Sequence, residues 1–398
     1  MCKLNLSEIT AQQKEIFNKY FCDETKLFHF EGMWLRNQRK ENAQQSDWLD
    51  ESTTRRRYIH FYDSYITKTI GDQHFLSLKD AYIYVTNTLP KNEIVEYKNR
   101  ILNALKLQNY IETNSNIYQK DGFEVLLFEY KNHPKNLEYN VEFPENYISF
   151  DIVFRTKNFE YEPHYNRMWK HSTKMFRIRE KRETPQYETD LKALKQFLPA
   201  QIETGCGPSI EANIPPLYTM HELYKVQNHE SGKFYFSKQD DLMENIILNP
   251  EKMYKQFAHV PLSCLRAQHT EAYKFFDKAY KSGLFMGTVY NNNFDRLVKR
   301  FDIDEIVLRV YDKDKYLPNI TFDKNAKSLI CFGCHADRRQ VQKQAREQGL
   351  KVIFVNPEGF YNKDKFEPYP LEAPKNQDII YKMTFNEFMT KFKNEYLD

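Results

Sequence analysis

The chain has 398 residues, 28% of them charged and 41% hydrophobic, with a formal net charge of +3. Its 30 Phe and 28 Tyr supply ample material for a packed interior, which excludes a wholly disordered chain. A mean hydropathy of −0.76, with no apolar run near ~20 residues, excludes a spanning helix, and so small a net charge does not argue for nucleic acid.

The length suggests about two to three domains of roughly 100–200 residues each. The segment Met1-Cys2-Lys3-Leu4-Asn5-Leu6-Ser7 lacks the apolar core of a signal peptide, and six scattered cysteines do not form a disulfide framework. The expectation is a cytoplasmic protein without a membrane partner. Only 11 residues are glycine, against roughly 28 at average usage. Eight of them follow residue 200. Glycine permits positive φ and close approach of backbone to a ligand, so a site is expected in the second half.

In chain order, residues 8–20 and 76–107 carry helical patterns, the second through Ile94, Tyr97, Ile101, Leu102 and Leu105. Tyr110-Ile111-Glu112, the turn Lys120-Asp121-Gly122 and the run Phe123–Phe128 follow. Helices and a two-stranded ribbon over 76–130 read as a winged-helix-like unit or as a small α+β cap; the cap is favoured because such patterns are common. A basic cluster of Arg167, Lys170, His171, Lys174, Arg177, Arg179, Lys181 and Arg182 is interleaved with Trp169 and Phe176. Such stripes contact phosphates and bases, yet Glu180, Glu183, Glu188 and Pro185 favour a solvated face leading into a linker. Nucleic acid is therefore not the favoured partner. The reading is an α+β N-terminal domain over 1–187, of unassigned role, and a second domain over 188–398, where Leu191, Leu194, Phe197 and Leu198 resume a helical face.

The second domain has the pattern of a parallel sheet. The runs Leu284–Tyr290, Ser328–Phe332 and Lys351–Val355 read as strands, and the polar stretch Asp337–Gln348 reads as a helix closed by Gly349. Strand, helix and strand of these lengths make a βαβ crossover, whose ligands sit beyond the carboxyl ends of the strands. Those ends read Asn291-Asn292-Asn293-Phe294-Asp295, Gly333-Cys334-His335 and Asn356-Pro357-Glu358-Gly359. Upstream, Thr204-Gly205-Cys206-Gly207-Pro208-Ser209 places two glycines where backbone N–H groups can close on a pyrophosphate.

Taken together these segments resemble the sirtuins, the silent information regulator deacylases, and His335-Ala336-Asp337-Arg338-Arg339 also resembles a divergent bacterial subgroup of them. The Thr204–Ser209 run with Ile214-Pro215 resembles their first NAD-binding motif, and Asn292-Asn293-Phe294-Asp295 resembles their second. Gly333-Cys334-His335-Ala336 lies where the family has glycine-threonine-serine, and Val355-Asn356-Pro357-Glu358 resembles the turn at the adenosine end. The resemblance covers roughly residues 190–360, and the tail to 398 is similar to the family's closing helix. It implies a Rossmann-like, sirtuin/DHS-like α/β fold that binds NAD or ADP-ribose. Thr204, Gly205, Cys206, Gly207, Ser209, Ile214, Asn292, Gly333, Cys334, Arg338, Asn356 and Glu358 would contact the cofactor. Asn293 and Asp295 would sit beside the nicotinamide ribose, with His335 as a further acid–base candidate.

The departures are specific. Residues 298–329, where sirtuins carry a catalytic histidine and a four-cysteine zinc module, contain neither His nor Cys, and the histidine position reads Val310. Pro216-Leu217-Tyr218 replaces the family's aspartate-phenylalanine-arginine, leaving Arg338 or Arg339 to supply charge to a phosphate. Pro199 and Glu203 are poor residues for a buried strand. Cys331 and Cys334 have C-x-x-C spacing without a second ligand pair, so no metal site is expected. The function read from the sequence is a deacylase-derived enzyme, of the transferase class, that cleaves the nicotinamide–ribose bond and passes ADP-ribose to an acyl-lysine protein, another acceptor or water. The alternative is a non-catalytic NAD or ADP-ribose sensor.

Overall fold

The computed structural model describes residues 3–5, 27–39, 53–70, 73–131, 143–157, 159, 181–215, 220, 222–226, 235, 240–267, 270–293, 295, 298–308, 320–337, 339–362 and 365–397. Among the described residues it is a mixed α/β structure with a large antiparallel sheet, a parallel sheet and a two-stranded antiparallel hairpin. The expected helix at 8–20, most of the basic cluster, and Val310, Arg338, His221 and His269 lie outside the described residues.

The chain divides into two compact units. The first takes in Phe21–Pro163 and Leu217–Leu262, the second His164–Pro216 and Ser263–Asp398. The boundary expected at 187 falls inside the strand Gln186–Glu188 of the second unit's sheet.

In the first unit β1 (Lys3–Asn5), β2 (Leu27–Arg39), β3 (Thr53–Ile70), β4 (Gln73–Pro90), β5 (Ile111–Asn114), β6 (Ile117–Lys120), β7 (Phe123–Tyr130) and β8 (Tyr147–Thr156) form one antiparallel sheet. Its order is β2-β3-β4-β8-β7-β6-β5, with β1 on β4. The helix expected over 76–107 is confined to Lys91–Leu107, and residues 76–90 are strand. Tyr82-Ile83-Tyr84-Val85-Thr86 is aromatic and β-branched throughout, and both of its faces are buried, so pleated packing prevails over a helical period. The strands after the helix continue the large sheet rather than standing alone as a ribbon.

One face of this sheet holds buried charge. Arg57 pairs with Asp241 at 2.6 Å, and Asp241 also accepts from the Tyr97 hydroxyl at 2.7 Å and caps the helix Leu242–Leu248. Burial pushes the Asp63 carboxyl up to about 8, against hydrogen bonds from Tyr224 and Tyr65.

In the second unit β9 (Gln186–Glu188), β10 (Ala200–Thr204), β11 (Val289–Asn291), β12 (Glu305–Val307), β13 (Ser328–Phe332), β14 (Lys351–Val355) and β17 (Ile379–Tyr381) form a wholly parallel sheet, while β15 (Gly359–Asn362) and β16 (Lys365–Pro368) pair as a hairpin. The order is β12-β11-β10-β13-β14-β17-β9. Parallel sheets need both faces covered. The helices Glu271–Lys281 and Phe385–Tyr396 pack an aromatic layer on one face, where Phe332 meets Phe385 and Phe388 with ring centroids 5.1 and 5.2 Å apart. The helix Val341–Glu347 covers the other, over Cys331, Val352 and Phe354.

The local signals explain these elements. Gly349, at φ +83°, follows the helix Val341–Glu347 as its left-handed stop. Asp337 accepts from the backbone N–H of Gln342 and Lys343 and so starts that helix later than the polar run suggests. Thr384 and Glu387 form a reciprocal capping box on the closing helix. Thr384→Ala is expected to lower unfolding free energy by ~1 kcal/mol in chemical denaturation. A change below ~0.3 kcal/mol would instead assign that helix end to the packing of Phe385 and Phe388.

Candidate functional site

The strand order reverses between the adjacent strands β10 and β13, from which the chain runs outward to β11 and β12 on one side and to β14 and β17 on the other. At such a switch point the connections leave in opposite directions and open a crevice beyond the carboxyl ends of the strands. The sequence-predicted residues stand on those ends. Thr204 closes β10 and is followed by Gly205, Cys206 and Gly207; Asn291 closes β11, ahead of Asn292, Asn293 and Asp295. Gly333, Cys334 and His335 follow β13, and Asn356 and Glu358 follow β14.

Backbone hydrogen bonds carry the ladder one step past each strand. Gly205 N–H donates to the Phe332 carbonyl at 2.7 Å, Asn292 N–H to Thr204 at 2.8 Å and Gly333 N–H to Val355 at 3.0 Å. The two glycine turns meet backbone to backbone. A Cβ on Gly205 would stand 2.3 Å from the Gly333 carbonyl oxygen, and one on Gly333 would stand 2.7 Å from the Gly207 nitrogen. Gly207 is different, because its nearest neighbour would be the Phe385 Cβ at 3.6 Å, an ordinary contact. Thus the protein's own packing requires Gly205 and Gly333 but not Gly207. Gly287, at φ +70°, is likewise required by the packing: a Cβ there would lie 2.6 Å from Oε1 of Gln201.

The amides of the second motif tie the loops together. Asn291 Oδ1 accepts from the Thr204 hydroxyl at 3.1 Å and from Asn293 N–H at 2.7 Å, while its Nδ2 donates to Glu305. Asn292 Nδ2 donates to Glu203 at 2.9 Å, and Asn293 Nδ2 donates to the Gly205 carbonyl. Asp295 is fully buried and accepts a very short hydrogen bond from Ser209. On the other side, Asn356 donates to the Cys334 carbonyl at 2.9 Å and accepts from Glu358 N–H at 2.7 Å. The Glu358 carboxylate receives Arg182 at 3.2 Å and the Tyr187 hydroxyl at 2.8 Å. His335 stacks on Tyr369 with centroids 3.6 Å apart and holds Nε2 3.7 Å from Glu372. Cys206 is exposed, whereas Cys331, Cys334 and Ile214 are buried. Arg339 donates to the Leu308 carbonyl at 2.9 Å.

Sequence reasoning passed over the role of two carboxyls near the strand ends, the buried Glu203 and the half-buried Asp337. Glu203 points to the face covered by Val341–Glu347, where Gln342 Nε2 donates to it at 3.0 Å. Burial, reinforced by the negative charge of Asp337, pushes Glu203 well above the usual carboxylate range, against donors Gln342, Asn292 and Cys331. Burial likewise raises Asp337, against the backbone donors at the helix start. The thiols of Cys331 and Cys334 are pushed up by burial and by Glu203. The signal was the polar alternation Gln201, Glu203 within β10, which reads as a weak strand. Gln201 is nevertheless satisfied, donating to the Thr288 and Thr321 carbonyls and accepting from Asp323 N–H. A surface cleft of ≈ 860 Å³ lined by Glu222, Lys225, Asn249, Lys252, Lys255 and His259 belongs to the first unit and contains none of the crevice residues.

No protein-family model matches this chain, and no curated protein matches it. Among solved structures it is similar to one described as the structural basis of sirtuin substrate affinity, with 16% identity over 52% of this chain and 97% of that chain, at a TM-score of 0.33. It is also similar to a mutant Sir2 homologue in complex with ADP-ribose, with 17% identity over 53% of this chain and 99% of the other, at a TM-score of 0.34. Overlap at that level carries no functional argument. Among the described residues no helix is long and apolar enough to cross a membrane.

Proposed function

We propose that the second unit is a Rossmann-like, sirtuin-like NAD-binding domain, and that the protein cleaves the nicotinamide–ribose bond of NAD. The ADP-ribose would pass to an acyl-lysine, another acceptor or water. One observation carries the reading: the Gly205–Gly207 turn, the Asn292–Asp295 segment and the Gly333 turn converge on the switch point of a sheet whose strands, counted from β10, follow the order 3-2-1-4-5-6 of dinucleotide-binding folds. The residues fit the group, because Gly205 and Gly207 place side-chain-free backbone just beyond the carboxyl end of β10, where a pyrophosphate would lie, and Asn356 and Glu358 would stand at the adenosine end. NAD, when bound, supplies the activated glycosidic bond. Asn293 would orient the acceptor beside it, and Asp295 would stabilise developing positive charge.

A second reading, a non-catalytic NAD or ADP-ribose sensor, is favoured by a separate observation. The Asn293 amide is bonded to Gly205, and the Asp295 carboxylate is buried against Ser209. Nicotinamide release from NAD separates the two readings. For the enzyme, Asn293→Ala is expected to lower release by ~100-fold or more while NAD still binds. Tight NAD binding with no release by the unmodified protein supports the sensor, and absence of NAD binding rejects both.

A further inference from the structure

Glu203 stands two residues before Gly205, so at ~3.3 Å per residue it lies ~7 Å from the turn proposed to seat a pyrophosphate. Its side chain is fully buried and accepts from Asn292 at 2.9 Å and Gln342 at 3.0 Å. In register across β13 stands Cys331; beyond it, the Cys334 thiol approaches the Glu203 carbonyl at 3.8 Å and also faces Cys206. The second carboxyl, Asp337, lies on the loop after β13 and accepts from the Gln342 backbone N–H at 3.1 Å, while the Gln342 side chain donates to Glu203 at 3.0 Å, so one residue bridges the two. Arg346, the cation that faces Asp337, is itself held by both oxygens of Asp378. An anion on the glycine turn therefore meets two carboxyls across a buried strand end, where charges are poorly screened.

We propose that the Glu203–Asp337 pair takes up a proton from solvent when an anionic dinucleotide binds, so that the crevice receives the phosphates without placing them over two carboxylates. No bond to the ligand forms, and the net reaction is protein, ligand and one proton giving the protonated complex. This rests on the dinucleotide reading above. Burial already holds both carboxyls above their ordinary range, and the charge of Asp337 raises Glu203 further.

The test is calorimetric titration of the full chain with ADP-ribose, in two buffers of different ionisation enthalpy, from about pH 6 to about pH 9. The pyrophosphate of this ligand does not titrate in that range. Net proton uptake and affinity falling by up to ~10-fold per pH unit are expected. Glu203→Gln, neutral at every pH, is expected to bind with the low-pH affinity of the unmodified protein and a flat profile. The two-buffer measurement on the unmodified protein stands even if that variant fails to fold. Binding without proton uptake would overturn the proposal and leave the dinucleotide reading intact, as would a Glu203→Gln profile parallel to that of the unmodified protein. Failure of the folded protein to bind ADP-ribose at any pH overturns both.

Discussion

Gly205→Ala is expected to destabilise the protein by about 2–4 kcal/mol and to abolish dinucleotide binding, whereas Gly207→Ala is expected to fold normally. The added methyl at 205 would lie 2.3 Å from the Gly333 carbonyl oxygen and 2.7 Å from its carbon. Those atoms are backbone. They cannot swing aside, because Gly333 N–H is bonded to Val355 and Gly205 N–H to Phe332. Relief therefore requires β10 and β13 to part at the switch point, which also misplaces Asn293, whose amide holds the Gly205 carbonyl. At 207 the same methyl meets only ordinary contacts at 3.6 Å and beyond. Denaturation midpoints and ADP-ribose titrations of the two variants check the contrast. A Gly205→Ala variant as stable as the parent would show that the turns are not in rigid contact.

Much of the second unit was legible because its signals are local. The apolar runs Ser328–Phe332 and Lys351–Val355 could be little else than buried strands, and the polar segment with Gly349 between them forced a crossover. The strand-end residues followed from the same logic. β10 was harder, since Gln201 and Glu203 alternate with apolar residues as if one face met water. Their partners, Thr288, Thr321, Asn292 and Gln342, are remote in sequence, so nothing local announces that the polar atoms are satisfied. The same distance hid the reason for Gly205, which lies in Gly333. In the first unit, residues 76–90 were misread as helix because a strand with both faces buried loses the alternation that identifies it.

Asp378→Ala is expected to cost about 3–5 kcal/mol, because it strips the largely buried guanidinium of Arg346 of the carboxylate that holds both its Nε and Nη2. The carboxylate accepts Nε and Nη2 of Arg346 at 2.9 and 2.7 Å and the Lys375 N–H at 2.7 Å, with its side chain wholly enclosed. Asp378→Asn keeps the shape and part of the hydrogen bonding, so a loss of roughly half is expected in chemical denaturation. Replacing both partners, Arg346→Met with Asp378→Leu, should recover most of the stability, since a buried pair repays little more than its own desolvation. A double variant as unstable as Asp378→Ala would show that the carboxylate's contact with Lys375, not the ion pair, fixes the start of β17. The pair also bears on the crevice. Arg346 is carried by the helix that presents Gln342 to Glu203, and it faces Asp337. Released from Asp378, the guanidinium favours the charged form of Asp337. Proton uptake on ADP-ribose binding should then diminish in Asp378→Asn, even though Asp378 touches neither the glycine turns nor the amides of the second motif.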